Sequence, residues 1–168
     1  MSDVKYMTAA EAVRLIDSGD HVYVQGSTSI PEVLCEALAE RGNELRDVVI
    51  YSGFAVARRP SPLCRPEFKD SFLVDSFFIS NAFRNYINEG YGTMTPRFLG
   101  EVPELFRDGT CRVDVALINC SAPDAEGNVS FGVSADLATA AVECADRVIA
   151  QINPRVPFTP CLLYTSDA

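Results

Sequence analysis

The sequence is poor in positive charge. Its 168 residues include 14 Lys and Arg against 23 Asp and Glu, so the formal net charge at pH 7 is −9. A protein that binds nucleic acid or an anionic membrane gains much of its affinity from basic side chains placed against phosphate. The charge balance therefore argues against both kinds of partner, and we expect neither nucleic acid nor membrane binding.

Long apolar runs are also missing. No stretch approaches the roughly 20 apolar residues that span a bilayer. The first residues, MSDVKYMTAAEAV, lack the basic segment and apolar core of a secretory signal. Apolar residues make up 48% of the chain, which is enough for a packed core. We therefore expect one globular domain in the cytoplasm.

Histidine is nearly absent, and the cysteines are scattered. The single histidine, His21, opens a predicted strand and has no obvious partner. None of the six cysteines forms a CxxC pair, the spacing that zinc and iron–sulfur sites commonly use. We predict no metal site. The thiols are expected to be reduced and mostly structural, with Cys35, Cys120 and Cys144 packing as small core side chains.

The chain alternates predicted strands and helices. Residues 113–119 (VDVALIN) and 147–153 (RVIAQIN) are short apolar runs, typical of strands covered on both faces of a parallel sheet. A loop, a short strand and a helix over residues 137–145 separate them. Further strands are predicted within HVYVQG, RDVVIYSGF and DSFLVDSFFISN. The pattern predicts an α/β domain with a mainly parallel sheet flanked by helices.

Two predicted helices carry boundary signals. Thr8 and Glu11 have the spacing of a capping box, and Gly19 is the expected end of that helix. In TPRFLGEVPELFRDG, Thr95 is the expected cap. Pro103 is expected to interrupt this second helix and to divide it into two short helical pieces.

Polar loops follow the carboxyl ends of the predicted strands, where open α/β sheets commonly bind ligands. QGSTSIP offers Gly26 for close backbone approach and Ser27 as a hydroxyl donor, although a plain strand–helix turn has the same pattern. Gly53 ends the next predicted strand. Ser80 and Asn81, in ISNAFR, are either helix caps or groups that hold a carboxylate or thioester.

None of these loops contains a catalytic motif. They match neither the GxxxxGK[ST] phosphate loop nor GxGxxG. Asp124 and Glu126 lie beside Gly127 and are interpreted as a solvated turn rather than an acid–base pair. The basic residues of AVARRPSPLCRPEFKD are interpreted as a solvated loop, with a role in balancing a polyanionic cofactor as the alternative.

The order of these segments resembles the amino-terminal half of the acetyl-CoA hydrolase/transferase family, which includes acetate, butyrate and 4-hydroxybutyrate CoA-transferases. The likeness runs from Thr8 to about Thr159. It is strongest over residues 113–157, VDVALINCSAPDAEGNVSFGVSADLATAAVECADRVIAQINPRVP. SGDHVYVQGSTSIPEVLCEAL, FFISNAFRNYINEG and TPRFLGEVPELFRDG support it.

The resemblance implies a CoA-transferase-like domain of the NagB/RpiA type, with an acyl-CoA and a small carboxylate as substrates. In this family a glutamate attacks the acyl-CoA and passes through a glutamyl-CoA thioester. That glutamate belongs to a carboxyl-terminal catalytic domain absent from this chain, so no catalytic residue is expected here. CoA enters as a thioester substrate, with no permanently bound cofactor. The positions that match the family's pocket wall are Gly26, Ser27, Gly53, Ser80 and Asn81.

The predicted domain covers residues 1–160, and residues 161–168 (CLLYTSDA) form a tail outside the family pattern, without helix or strand. We expect that the chain is cut short or changes reading frame near Pro160. The missing domain predicts an exposed apolar face, which could also form a homo-oligomer. An acyl-CoA hydrolase of the same family and a non-catalytic metabolite-binding module remain alternatives. A sugar-phosphate isomerase-like enzyme is weaker, because His21 alone gives little support.

Overall fold

The computed structural model describes residues 5–159 and the backbone of residues 163–164. Its centre is a six-stranded, all-parallel sheet with the strand order β4-β3-β2-β1-β5-β7. The strands are β1 (His21–Val24), β2 (Val48–Ser52), β3 (Phe72–Ser76), β4 (Gly92–Met94), β5 (Val115–Cys120), β6 (Val129–Ser130), β7 (Arg147–Ile152) and β8 (Leu163–Tyr164). The α-helices are α1 (Ala9–Ala12), α2 (Glu32–Glu40), α3 (Arg84–Asn88), α4 (Val102–Arg107) and α5 (Ala138–Cys144).

The sheet is covered on both faces by different helices. Residues of α1, α2 and α3 pack on one face, where Leu38 and Ile50 are fully buried. Residues of α4 and α5 pack on the other, around Tyr23 and Phe106. The chain therefore winds in both directions from the centre of the sheet, which confirms the predicted α/β class with a parallel sheet.

The central strand β5 behaves as its sequence predicts, and β7 does not. Every residue of β5 is buried. In β7 only Ile149 is buried, and Val148 and Ile152 are exposed. The prediction that both strands are covered on both faces is wrong for β7, because this strand lies at the edge of the sheet.

The first predicted helix starts where expected but is short. The Thr8 hydroxyl accepts the Glu11 N–H at 3.3 Å, and the Glu11 carboxylate accepts the Thr8 N–H at 2.9 Å, so the capping box is confirmed. The α-helix ends at Ala12 and continues as a 3₁₀ turn over Val13–Leu15. The Arg41 side chain donates to the Val13 carbonyl. A side chain thus supplies a hydrogen-bond partner for a carbonyl of the 3₁₀ turn.

The helix predicted after Thr95 begins later. Thr95 follows β4, a three-residue strand that the sequence did not reveal, and its hydroxyl donates to Asp75 Oδ2 at 2.8 Å instead of capping a helix. Two short helical pieces do follow, a 3₁₀ turn over Leu99–Glu101 and then α4. Pro103 lies in the first turn of α4, where its missing N–H costs little, so the break precedes it.

The backbone of Leu163–Tyr164 forms β8, which pairs antiparallel with β6. The expectation of a tail without a strand is therefore wrong at these two residues, and the remainder of residues 161–168 lies outside the described part of the chain. Among the described residues, no helix has the length and apolar character needed to cross a bilayer.

Candidate functional site

The predicted site residues lie along the edge of the sheet formed by the carboxyl ends of its strands. The chain leaves β1 toward β2 through α2 on one face, whereas the units around β5 pack on the other face. Loops that leave neighbouring strands toward opposite faces open a crevice, the common ligand position in open α/β sheets. The strand order places the expected crevice between the ends of β1 and β5.

The loop after β1 is fixed against the loop after β2. A Cβ built on Gly26 would overlap the carbonyl oxygen of Phe54, so only glycine fits at this close approach. Ser27 has a φ of 52°, in the left-handed region that non-glycine residues seldom adopt. Its N–H donates to the Phe54 carbonyl at 2.5 Å, and its carbonyl accepts the Val56 N–H at 2.8 Å. These bonds hold Ser27 in place beyond the ends of both strands.

The loop between β6 and α5 packs over the same region. The buried Gln25 side chain donates to the Ser134 carbonyl at 2.9 Å and accepts the Asn119 N–H at 2.7 Å. A Cβ built on Gly53 would lie 3.0 Å from Leu137 Cδ1. Gly26, Ser27 and Gly53 are thus brought together, with the loop before α5 resting on them.

Asp136 is a further polar group at this place. It has a φ of 48°, so it is also held in the left-handed region. Its side chain is exposed, and partial desolvation of the carboxyl raises its pKa. The Ser27 side chain opposes that rise. Sequence reasoning missed Asp136, although an acidic residue in the polar loop before α5 was a visible signal.

Ser80 and Asn81 lie one strand further from the crevice. The Ser80 hydroxyl is buried and has no hydrogen-bond partner in the described part of the chain. The Asn81 amide donates to the Ala57 carbonyl at 2.6 Å and so braces the loop after β2. Neither residue caps α3, whose N-cap is Phe83, so the prediction of a helix cap is wrong. A tight turn over residues 80–83 intervenes, with the Ser80 carbonyl as its acceptor.

A small cavity lies between α2 and the ends of β1 and β2. Its volume is about 30 Å³, and its lining includes Gln25, Cys35 and Ser52. A cavity of this size holds about one water molecule, whereas small-molecule sites usually exceed about 300 Å³. The described residues therefore do not enclose a substrate here, and the groups at the sheet edge form an open wall.

Positive charge is sparse at this wall. Arg58, Arg59 and Arg65 are exposed. Arg59 forms an ion pair with Glu36, and the guanidinium of Arg65 lies 5.5 Å from the centre of the Phe68 ring. These contacts agree with the interpretation of a solvated basic loop.

His21 lies at the opposite edge of the sheet, at the start of β1. Its Nδ1 lies 3.0 Å from the Tyr51 hydroxyl, so the expectation that it has no partner is wrong. Desolvation, helped by the nearby Arg112, lowers the pKa of His21. The neutral ring is therefore favoured. Because His21 lies where β1 begins, it is at the other edge of the sheet from Ser27 and Gly53.

Apolar side chains are exposed beside the wall. The rings of Phe54 and Phe78 meet edge to face, with centroids 5.2 Å apart, at the ends of β2 and β3. Phe54 is 43% exposed and Phe78 is 51% exposed. Single half-exposed apolar side chains are common on protein surfaces, so this pair alone is not the contiguous apolar face that was expected. That expectation stays a prediction.

A family model described as the acetyl-CoA hydrolase/transferase N-terminal domain matches residues 3–161. The chain belongs to this family. The resemblance to this family is therefore confirmed, and curated relatives of the chain are named as CoA transferases. These relatives match nearly all of this chain, but the chain spans only part of their length.

Two curated CoA transferases illustrate this. A 4-hydroxybutyrate coenzyme A transferase from Clostridium kluyveri is 33% identical over 165 residues, which is 97% of this chain and 38% of the relative. A succinyl-CoA:acetate/propanoyl-CoA:succinate CoA transferase from Fasciola hepatica is 31% identical over 151 residues, 89% of this chain and 31% of the relative. The chain thus spans about a third of the length of these relatives.

Solved structures support the fold. A 4-hydroxybutyrate CoA-transferase from Porphyromonas gingivalis superposes with a TM-score of 0.75 at 28% identity, over 95% of this chain and 36% of that one. RipA from Yersinia pestis superposes with a TM-score of 0.86 at 23% identity, over 98% of this chain and 40% of that one. The CoA-transferase-like fold is therefore established for this domain.

Proposed function

We propose that this chain is the amino-terminal domain of an acyl-CoA:carboxylate CoA-transferase of the acetate, butyrate or 4-hydroxybutyrate type. Residues 1–160 form that domain, and a carboxyl-terminal catalytic domain completes the enzyme. The observation that carries the proposal is the family match over residues 3–161. The geometry supports it, because the loops after β1 and β2 and the loop before α5 meet at the carboxyl ends of the strands, where open α/β sheets commonly bind ligands.

The proposed chemistry uses a glutamate of the completing domain. Its carboxylate attacks the acyl-CoA carbonyl and expels the CoA thiolate, which leaves a mixed anhydride. The thiolate then attacks the glutamyl carbonyl, releases the first carboxylate and forms a glutamyl-CoA thioester. A second carboxylate reverses the two steps and leaves as its CoA thioester.

In this scheme the described domain holds the carboxylate and supplies no nucleophile. The Ser27 hydroxyl donates to a carboxylate oxygen, and Gly26 and Gly53 allow the close contacts with Phe54 and Leu137 that hold the wall in place. Asn81 supports the neighbouring loop, and the buried Ser80 hydroxyl adds no hydrogen bond to it among the described residues. Because charge develops on oxygen during both acyl-transfer steps, fixed donors at this wall would favour them.

A hydrolase of the same family is the second candidate, since the matched family is described as hydrolase/transferase. In that case water replaces the acceptor carboxylate at the thioester. The open wall of the described domain admits either acceptor, so the completing domain decides between them.

The test is an assay of the gene product that continues beyond Ala168, with residues 1–168 alone as the control. Each protein is incubated with acetyl-CoA and butyrate, and butyryl-CoA and free CoA are separated by chromatography. The proposal predicts butyryl-CoA from the longer product and none from residues 1–168. Free CoA without butyryl-CoA would favour the hydrolase. A gene that stops after Ala168, or a longer product with neither activity, would leave a metabolite-binding module as the better account.

A further inference from the structure

Three amide side chains lie at the carboxyl ends of neighbouring strands. Gln25 directly follows β1, Asn119 is the last residue but one of β5, and Gln151 is the last but one of β7. Gln25 is fully buried and Asn119 is 6% exposed. A buried amide is costly to leave without hydrogen bonds, so the partners of these side chains are informative.

A chain of hydrogen bonds begins at helix α2. The N–H of Val33, in the first turn of α2, donates to Gln151 Oε1 at 3.0 Å. Pro31, the N-cap of this helix, makes no side-chain hydrogen bond to that turn, so a side chain of β7 satisfies the N–H instead. Because a backbone N–H can only donate, the bond fixes the Gln151 oxygen toward α2 and turns its NH₂ group away from the helix.

The orientation of Gln151 sets that of Asn119. Gln151 Nε2 donates to Asn119 Oδ1 at 3.4 Å. If the Asn119 amide were turned over, two NH₂ groups would face each other and this hydrogen bond would be lost. The chain of bonds therefore ends at Asn119 Nδ2, which makes no hydrogen bond to any residue that the structure describes.

Asn119 lies next to the loop after β1. Val24 pairs with Leu117 in the parallel sheet, so the position two residues further along β5 lies beside Gly26. The Asn119 N–H also donates to Gln25 Oε1 at 2.7 Å, which ties this end of β5 to the end of β1. The Nδ2 donor thus lies at the expected crevice between these two strands.

The direction of the bonds makes Nδ2 suited to an anion. Gln151 and Asn119 each accept at the oxygen and donate from the nitrogen, so the chain of donors runs one way, from α2 to Nδ2. Hydrogen bonds in such a chain polarise one another, and the helix N-terminus adds positive potential at its start. A carboxylate oxygen has the negative charge and the lone pairs to accept the last bond.

We propose that Asn119 Nδ2 donates to a carboxylate oxygen of the ligand, and that Gln151 is a positioning residue that keeps the Asn119 amide turned to donate. The inference rests on the proposed carboxylate-binding function of this edge of the sheet. It adds a donor from β5 to the Ser27 hydroxyl of the loop after β1. The ligand class is a small monocarboxylate.

The first experiment measures binding of trifluoroacetate to residues 1–168 by ¹⁹F NMR near neutral pH. Asn119→Ala removes the donor, and loss of one hydrogen bond to a charged ligand should weaken binding about tenfold or more. Asn88→Ala is the matched control, because Asn88 is exposed at the end of α3 and should not affect binding. Equal affinities of Asn119→Ala and wild type would refute the proposed donor.

A second variant tests the positioning role and does not depend on the stability of Asn119→Ala. Gln151→Glu keeps an acceptor for the Val33 N–H, but the ionised carboxylate has no proton to donate to Asn119 Oδ1. The Asn119 NH₂ group then turns toward this carboxylate. The variant should therefore bind trifluoroacetate about tenfold more weakly than wild type near pH 8.

The pH dependence of Gln151→Glu distinguishes positioning from a structural role. A protonated carboxyl group accepts at one oxygen and donates from the other, as the glutamine amide does. The ratio of wild-type to variant affinity should shrink as the pH falls toward about 4, near the ordinary pKa of a glutamate. Trifluoroacetate stays ionised throughout, and titration of other groups is common to both proteins. A ratio that does not change with pH would overturn the positioning role.

The outcomes separate this inference from the proposed function. If wild type binds trifluoroacetate and neither Asn119→Ala nor Gln151→Glu differs from it, the inference is refuted and the carboxylate wall stands. If wild type does not bind the anion at any pH, the carboxylate wall is refuted, and the inference falls with it.

Discussion

Replacement of Gly26 by alanine tests the central contact between the loops after β1 and β2. The added methyl group would overlap the carbonyl oxygen of Phe54. That oxygen belongs to the backbone and accepts the Ser27 N–H at 2.5 Å, so it cannot move without weakening the bond. The overlap is therefore relieved only by separating the two loops.

The cost follows from two contributions. Overpacking of a closely fitted site costs about 1–3 kcal/mol. Loss of the Ser27 hydrogen bond adds about 1 kcal/mol. The free energy of unfolding should fall by about 2–4 kcal/mol, which lowers the melting temperature of a domain of this size by about 4–16 °C.

Urea unfolding followed by circular dichroism measures this change. The unfolding midpoint of Gly26→Ala should fall at an unchanged slope. Gly100→Ala is the matched control, because no atom lies within 4 Å of a Cβ built at Gly100. If Gly26→Ala unfolds at the same urea concentration as Gly100→Ala, the loops are not held as described.

Two further predictions concern buried groups. Ser80→Ala should raise the free energy of unfolding by about 1 kcal/mol, because the variant no longer buries an unpaired hydroxyl. Ser76→Ala should lower the free energy of unfolding by a similar amount, because Ser76 donates to the Phe78 carbonyl at 2.7 Å. Equal melting temperatures for Ser80→Ala and Ser76→Ala would contradict this prediction. Burial raises the pKa of Cys35 to about 12, so this thiol should stay protonated at pH 8 and resist Ellman's reagent until urea unfolds the chain. Rapid labelling of Cys35 in the folded protein would show that it is not buried.

The strands and their parallel arrangement could be predicted because their signals are local. β5 is a continuous apolar run and is buried at every position. The capping box of Thr8 and Glu11 lies within four residues and forms as predicted. The short strand β4 could not be predicted, since Gly92–Met94 carries no apolar run and is a strand only because it pairs with β3.

The site was predicted in part for the same reason. Gly26, Ser27 and Gly53 follow strand ends directly, so strand prediction located them. Asp136 lies over a hundred residues from Ser27 in the chain, and only the packing of the loop before α5 brings the two together. The edge position of β7 also depends on strand order, which an apolar run does not reveal.

The most direct measurement is a titration of ¹⁵N-labelled residues 1–168 with butyrate, followed through backbone amide shifts. The account predicts that the largest shifts fall on Gly26, Ser27 and Gly53, at the carboxyl ends of β1 and β2. Shifts confined to the opposite edge around His21, or no shifts at a high butyrate concentration, would contradict the claim that this edge of the sheet holds the carboxylate.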